Sequence, residues 1–253
     1  MKPVVFIGAG PGAADLITVR GAQRLAAAEI VLFDALTDPA LRRIAPDARW
    51  IDVGKRGFCD STRQVAINGL LVRHAQRGHA VVRLKGGDPS VFGRLDEELA
   101  ALAEAGIAAE VVPGVTAAIA AAAEIQRPLT RRGSGRSVSL TTAMTHSGNL
   151  RASRSADTEV FYMAGRQLGA LATRLRNAGW PADTPVVVVS RAGWPDQLAS
   201  DHPLAELAEA AMLHAGRPTV VTVGIGARPI GKGRQPVPAT TSGPARQALP
   251  LQP

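Results

Sequence analysis

The chain has 253 residues, 46% of them hydrophobic and 20% charged, with a formal net charge of +8 and one cysteine, Cys59. That length suits one large domain or two modest ones, while a lone cysteine excludes an internal disulfide or a cysteine metal cluster. No apolar run is long enough to cross a bilayer, and aromatics at 4% are too few for an obvious base-stacking platform. The positive charge therefore points to an acidic small molecule before nucleic acid or membrane, although scattered arginine also fits a plain solvated surface. The N-terminus, MKPVVFIGAGPG, is broken by glycines and a proline too early for a signal peptide, and the expected location is the cytoplasm.

Strand and helix patterns alternate through the first half. Residues 4–7 form an apolar run that ends in GAGPG. Residues 19–29 read as a helix with Val19, Ala22, Leu25 and Ala26 on one face. Residues 30–33 are the next strand and end on Asp34; Asp38-Pro39 then opens a helical turn, with Asp as cap and Pro at the first position. Residues 50–53 are a strand leading into GKRG, and a longer helix over 62–76 stops before Gly78. The strand AVVRL runs into KGGDP, DEELAALAEAG is a helix with a glycine stop, and residues 110–112 form the last strand before Pro113-Gly114.

Beyond that point, TAAIAAAAE reads as a helix capped by Thr116. Then come SVSLTT, EVFYM, a helix over 167–178, PVVVVS, a helix over 203–214, and PTVVTVG. The pattern predicts two α/β domains, 1–113 and 114–230, the first sheet mainly parallel and the second mixed. Residues 231–253, rich in proline, glycine and polar residues, are expected to be a disordered tail.

In sheets of this class ligands sit at the carboxyl ends of the strands. Gly8, Asp34, Gly54 and Gly86 all fall at such ends. Gly8-x-Gly10-x-x-Ala13 with Asp34 fits the relaxed dinucleotide fingerprint, and so a nicotinamide-dependent oxidoreductase. Pro11-Gly12 argues against it, because helical periodicity resumes only near Thr18 and no helix N-terminus would face a pyrophosphate. Three backbone-rich segments, GAGPG, KGGDP and PGVTAA, suggest instead a pocket for a polar small molecule, since glycine permits close approach to the main chain.

IGAGPGAADLITVRG, VGKRG, VRLKGGDPSVFGR, VVPGVTAA, PLTRRG and VFYMAG, in this order, resemble the tetrapyrrole methylase family. The resemblance implies S-adenosyl-methionine as cosubstrate, bound in a ligand cleft between two α/β domains, and a homodimer. LKGGDP with FGR points to the members that methylate uroporphyrinogen III at C2 and C7 to give precorrin-2, for sirohaem or cobalamin synthesis; a methylase of a later precorrin is the alternative. Carried over by position, the resemblance places Pro11, Gly86, Gly87, Asp88, Val91, Thr116, Ala117, Met163 and Ala192 at the cosubstrate. It makes Asp34 a proton acceptor and Lys55 a proton donor, and sets Arg94 and Glu97 toward the tetrapyrrole. The eight carboxylates of that substrate would suit Arg20, Arg56, Arg131 and Arg132, whose guanidinium groups bind carboxylates in pairs of hydrogen bonds. Ala35, the segment around Cys59, Leu95-Asp96 and Arg131 depart from the usual family pattern, all on the presumed acceptor side.

Overall fold

A computed structural model describes residues 1–54, 61–143 and 152–230. Lys55, Arg56 and Cys59, and the expected tail from residue 231, lie outside the described residues. The chain divides into two compact units, Met1–Thr116 and a second beginning at Ala117.

In the first unit β1 (Val4–Gly8), β2 (Ile30–Phe33), β3 (Arg49–Asp52), β4 (Val81–Lys85) and β5 (Ala109–Val112) form one sheet. Its order is β3-β2-β4-β1-β5 and every pairing is parallel. A parallel sheet needs cover on both faces. Phe6, Leu32 and Val81 pack with Ile67 and Leu71, from the helix at Ser61–Gln76, and with Leu102, from the helix at Leu95–Glu104. Ile7, Val31, Val82 and Leu84 face the other way, against Leu25 and Leu41.

Leu25 belongs to α1 (Val19–Ala26), whose N-terminus is capped by Thr18 accepting from Gly21 N at 3.0 Å. The expected apolar face needs correction. Gly21, Ala22 and Leu25 are buried, whereas Val19 is 64% exposed and Ala26 is exposed. A helix turns about 100° per residue, and both lie about a quarter turn from the centre of the buried stripe. The Asp38-Pro39 signal does open a 3-10 helix, Pro39–Ile44, with Asp38 accepting from Ala40 N at 2.8 Å. We number the two helices on the opposite face α2 (Ser61–Gln76) and α3 (Leu95–Glu104).

The second unit starts with α4 (Ala117–Glu124) and holds β6 (Val138–Thr142), β7 (Thr158–Tyr162), α5 (Leu168–Asn177), β8 (Pro185–Ser190), β9 (Leu198–Pro203), α6 (Ala210–Leu213) and β10 (Thr219–Gly224). Its sheet runs β6-β7-β10-β8-β9; β6 and β7 are parallel and the other pairings antiparallel. Phe161, Leu171, Leu175, Val188, Leu207 and Val221 centre its core. The expected helix over 203–214 is mostly something else: a 3-10 helix at Leu204–Glu209 precedes the short α6. Leu204, Leu207 and Ala210 are the buried residues, and a repeat of three is the 3-10 period. A mainly parallel sheet and a mixed one are the α/β organisation anticipated from the sequence.

Candidate active site

Three loops of the first unit meet at the carboxyl ends of β1, β4 and β5. Gly87 N donates to Gly10 O at 2.7 Å, Gly10 N returns a bond to Gly87 O at 3.3 Å, and Ala9 N donates to Lys85 O at 2.8 Å. Gly8 and Gly114 touch main chain to main chain. A Cβ on Gly8 would stand 2.5 Å from Gly114 Cα, and a Cβ on Gly114 would stand 2.4 Å from Gly87 O. No side chain fits between these loops. Gly87 differs: its φ is +72°, and a Cβ there would meet nothing nearer than Thr116 Cα at 3.9 Å. The junction is thus closed between Gly8 and Gly114, while beside the Gly87 Cα there is room for a methyl group at ordinary contact distance.

Asp88 works as a strut inside this junction. Its Oδ1 accepts from Ser90 N at 2.8 Å and its Oδ2 from Gly114 N at 2.9 Å, so both oxygens tie main chain of the β4 and β5 loops. Val91 N closes the following turn on Asp88 O at 3.2 Å. Phe92 and Arg94 then take left-handed backbone, φ +52° and +55°, at a cost of about 1–2 kcal/mol each. Strain of this kind tends to be kept at functional sites. The Arg94 guanidinium is already engaged, donating from Nε and Nη2 to the two carboxylate oxygens of Glu97 at 2.5 and 2.6 Å. The pair is bidentate and half-exposed, and neither partner stands as an isolated charge.

Asp34 lies at the tip of β2 and accepts from Arg83 Nη2 at 2.5 Å. Arg83, 3% exposed, also donates from Nε to Glu98 Oε1 at 2.9 Å, and Lys85 Nζ donates to Glu98 Oε2 at 2.5 Å. Glu98 is 0% exposed. Burial pulls the Arg83 pKa down, but Asp34 and Glu98 outweigh it and hold it above the usual arginine range. Lys85 is pushed below its ordinary value by burial and then by Arg83, with Glu98 opposing. Reading the sequence for glycine loops missed Arg83, Lys85 and Glu98. The available signal was two cations, two residues apart, in a strand otherwise apolar.

The structure brings Gly86, Gly87, Asp88, Val91 and Thr116 to one junction, with Pro11 next to Gly10 on its third loop. Arg20 is exposed in the first turn of α1. Ala117, Met163, Ala192, Arg131 and Arg132 belong to the second unit. There Met163 follows β7 with φ +58°, and Ala192 is buried beside Arg191 at φ +52°. Arg131 uses its guanidinium on the carbonyl oxygens of Arg228 and Pro229, while Arg132 is exposed. The dinucleotide alternative loses its phosphate site: Ala14–Leu16 is a 3-10 turn and α1 begins only at Val19, so no helix N-terminus opens after Gly10.

Comparison with known proteins shows the family. The model of the tetrapyrrole (corrin/porphyrin) methylases matches residues 3–208. A uroporphyrinogen-III C-methyltransferase of Pseudomonas aeruginosa is 40% identical over 230 residues, which cover 87% of this chain and 92% of that protein. A siroheme synthase of Neisseria meningitidis serogroup C is 42% identical over 87% of this chain; the match covers 47% of that protein, so the chain spans about half its length. Among solved structures, a uroporphyrin-III C-methyl transferase from Thermus thermophilus complexed with S-adenyl homocysteine aligns with a TM-score of 0.77 at 34% identity, over 88% of this chain and 97% of that one. A cobalt precorrin-4 methyltransferase of cobalamin biosynthesis aligns with a TM-score of 0.79 at 30% identity, over 90% of this chain and 96% of that one.

Proposed function

Since the chain belongs to the tetrapyrrole methylase family, we propose that it transfers methyl groups from S-adenosyl-methionine to C2 and C7 of uroporphyrinogen III, giving precorrin-2. One observation carries the reading: main chain of three strand-tip loops packs at Gly8, Gly87 and Gly114, with room beside the Gly87 Cα for at least an added methyl group. When bound, S-adenosyl-methionine supplies a methyl group on a sulfonium. Backbone amides and carbonyls near Pro11, Gly86, Gly87 and Thr116 suit its charged and polar groups at short range, and Ala117, Met163 and Ala192 complete the proposed cosubstrate set. Asp88 keeps the loops at the spacing this needs.

Methyl transfer is an in-line displacement, so the residues mainly hold donor and acceptor in line and exclude water. The methylated ring is a cation until a C–H bond breaks. Its electron pair then stays in the macrocycle, and Asp34 takes the proton as general base. Lys55 is the proposed proton donor. Arg94 and Glu97 as a pair, with Arg20, Arg56, Arg131 and Arg132, are the proposed acceptor side. The identity to the Pseudomonas aeruginosa enzyme and the LKGGDP–FGR combination favour uroporphyrinogen III over a later precorrin.

A homodimer and a cytoplasmic location belong to the same reading. Among the described residues no helix is long and apolar enough to cross a membrane. Light scattering at twice the 26.3 kDa chain mass is the expected result. The function is tested by anaerobic incubation with S-adenosyl-methionine and uroporphyrinogen III: two methyl groups added by mass supports it, and an unmodified macrocycle refutes it.

A further inference from the structure

Three buried charges behind Asp34, those of Arg83, Lys85 and Glu98, have no part in the reaction so far. Asp34, Arg83, Glu98 and Lys85 form one chain of ion pairs, two anions against two cations. Arg83, Lys85 and Glu98 are out of water while Asp34 is part-exposed; burying three charges is costly, and such networks are a poor route to stability. They are a good route to fixing direction. Arg83 has five N–H donors in a rigid fork. It makes four bonds with them: to Glu98 Oε1, to Asp34 Oδ1, and through Nη1 to the carbonyl oxygens of Leu32 at 3.4 Å and Leu84 at 3.2 Å. Glu98 is itself held on both sides, by Lys85 Nζ on Oε2 and by Gln64 Nε2 on Oε1 at 3.3 Å.

Lys85 links this network to the cradle. Its carbonyl accepts from Ala9 N, Gly86 and Gly87 follow it directly, and its Cε lies 3.1 Å from where a Gly93 Cβ would stand. The side chain therefore runs under the same loop that the cradle uses.

We infer that Arg83 is a positioning residue for the proton-transfer step: locked by Glu98 and Lys85, it holds the Asp34 carboxylate at a set place relative to the cradle. This rests on the reading of Asp34 as proton acceptor. Arg83 stays protonated throughout and carries no proton. A carboxylate accepts at both oxygens, so the bond to Oδ1 fixes its direction without exhausting its acceptor capacity.

The test compares the full-length chain with Asp34→Asn, Arg83→Gln and the double variant. It reads kcat and KM for methyl transfer to uroporphyrinogen III, and S-adenosyl-homocysteine affinity by calorimetry. Arg83→Gln should lower kcat by about 10²-fold, the scale of a misplaced catalytic group, and leave S-adenosyl-homocysteine affinity within about twofold. The double variant should be no slower than Asp34→Asn, because the two act as a unit. Losses that multiply, an unchanged kcat in Arg83→Gln, or S-adenosyl-homocysteine affinity falling in step with kcat would each overturn the inference. A full-speed Asp34→Asn would instead remove the underlying reading of Asp34, and the inference with it. Should Arg83→Gln fail to fold, Arg83→Lys keeps the charge and loses the fork. A loss of about tenfold in kcat, absent in the Asp34→Asn background, then supports the inference, and full activity overturns it.

Discussion

Gly114→Ala adds a single methyl group where three loops meet. Its Cβ would stand 2.4 Å from Gly87 O, 2.6 Å from Gly8 Cα and 2.8 Å from Gly8 C. Carbon atoms in contact normally sit about 3.5–4.0 Å apart, so the β1 and β4 loops must retreat by about 1 Å. All three clashing atoms are main chain, which yields less readily than a side-chain tip. Gly114 does not have positive φ, so alanine brings no backbone strain of its own and the loss reports the contact alone. Overpacking of this kind costs about 1–3 kcal/mol, and each kcal/mol lowers the Tm of a unit of roughly 100 residues by about 4–8 °C. The same displacement stretches the 2.9 Å bond from Gly114 N to Asp88, so S-adenosyl-homocysteine affinity should fall by about tenfold or more. Gly87→Ala is the matched control. Its Cβ would meet only Thr116 Cα, at an ordinary contact distance of 3.9 Å, but φ is +72°, so it costs about 1–2 kcal/mol of backbone strain while placing a methyl group in the proposed ligand space. Scanning calorimetry and titration calorimetry read the two effects. Gly114→Ala melting with the parent and binding with parent affinity would refute main-chain contact between the loops.

Asp88→Ala removes the acceptor of two backbone donors and should cost about 1–3 kcal/mol, with weaker S-adenosyl-homocysteine binding; unchanged affinity would mean that the strut does not shape the cradle. His214 is fully buried between Ser190 and Ser200, and burial, then His202 and Arg217, push its pKa from 6.5 down to about 4. The unfolded chain binds this proton first, so stability should fall as pH drops from about 6.5 toward about 4, by about 1.4 kcal/mol per pH unit. In His214→Gln the urea midpoint should lose this one-proton slope, and an unaltered slope would show that His214 does not contribute it. Arg127, 4% exposed, pairs with Asp201 and donates to Ala227 O at 2.8 Å. Arg127→Ala should cost about 2 kcal/mol, and an unmoved urea midpoint would contradict that role.

Elements with a clear hydrophobic period were legible from the residues alone. β2 and β8 match the expected runs at 30–33 and 185–190, because each is a continuous apolar stretch bounded by polar or turn residues. β9 was missed since LASDHP has no such run. It pairs along one side only, with β8, and an edge strand needs little apolar sequence. The glycine loops were also legible, because close main-chain packing leaves a composition signature. The meaning of the charges was not. Asp88 read as a ligand contact, and the sequence held no sign that its oxygens also bind loop amides. Arg94 and Glu97, both expected to face the tetrapyrrole, also bind each other, which their spacing alone did not announce. Arg83 and Glu98 are 15 residues apart in sequence, and only the packing of α3 against the sheet makes them partners.

The account depends on bare main chain at the tips of β1, β4 and β5 holding a sulfonium nucleoside. A crystal structure of the full chain with S-adenosyl-homocysteine measures this directly. The ligand should lie against the main chain of residues 10–11, 86–88 and 114–116, within hydrogen-bond distance of at least one backbone group in each loop. A ligand bound elsewhere, or touching only one of the three loops, would contradict it.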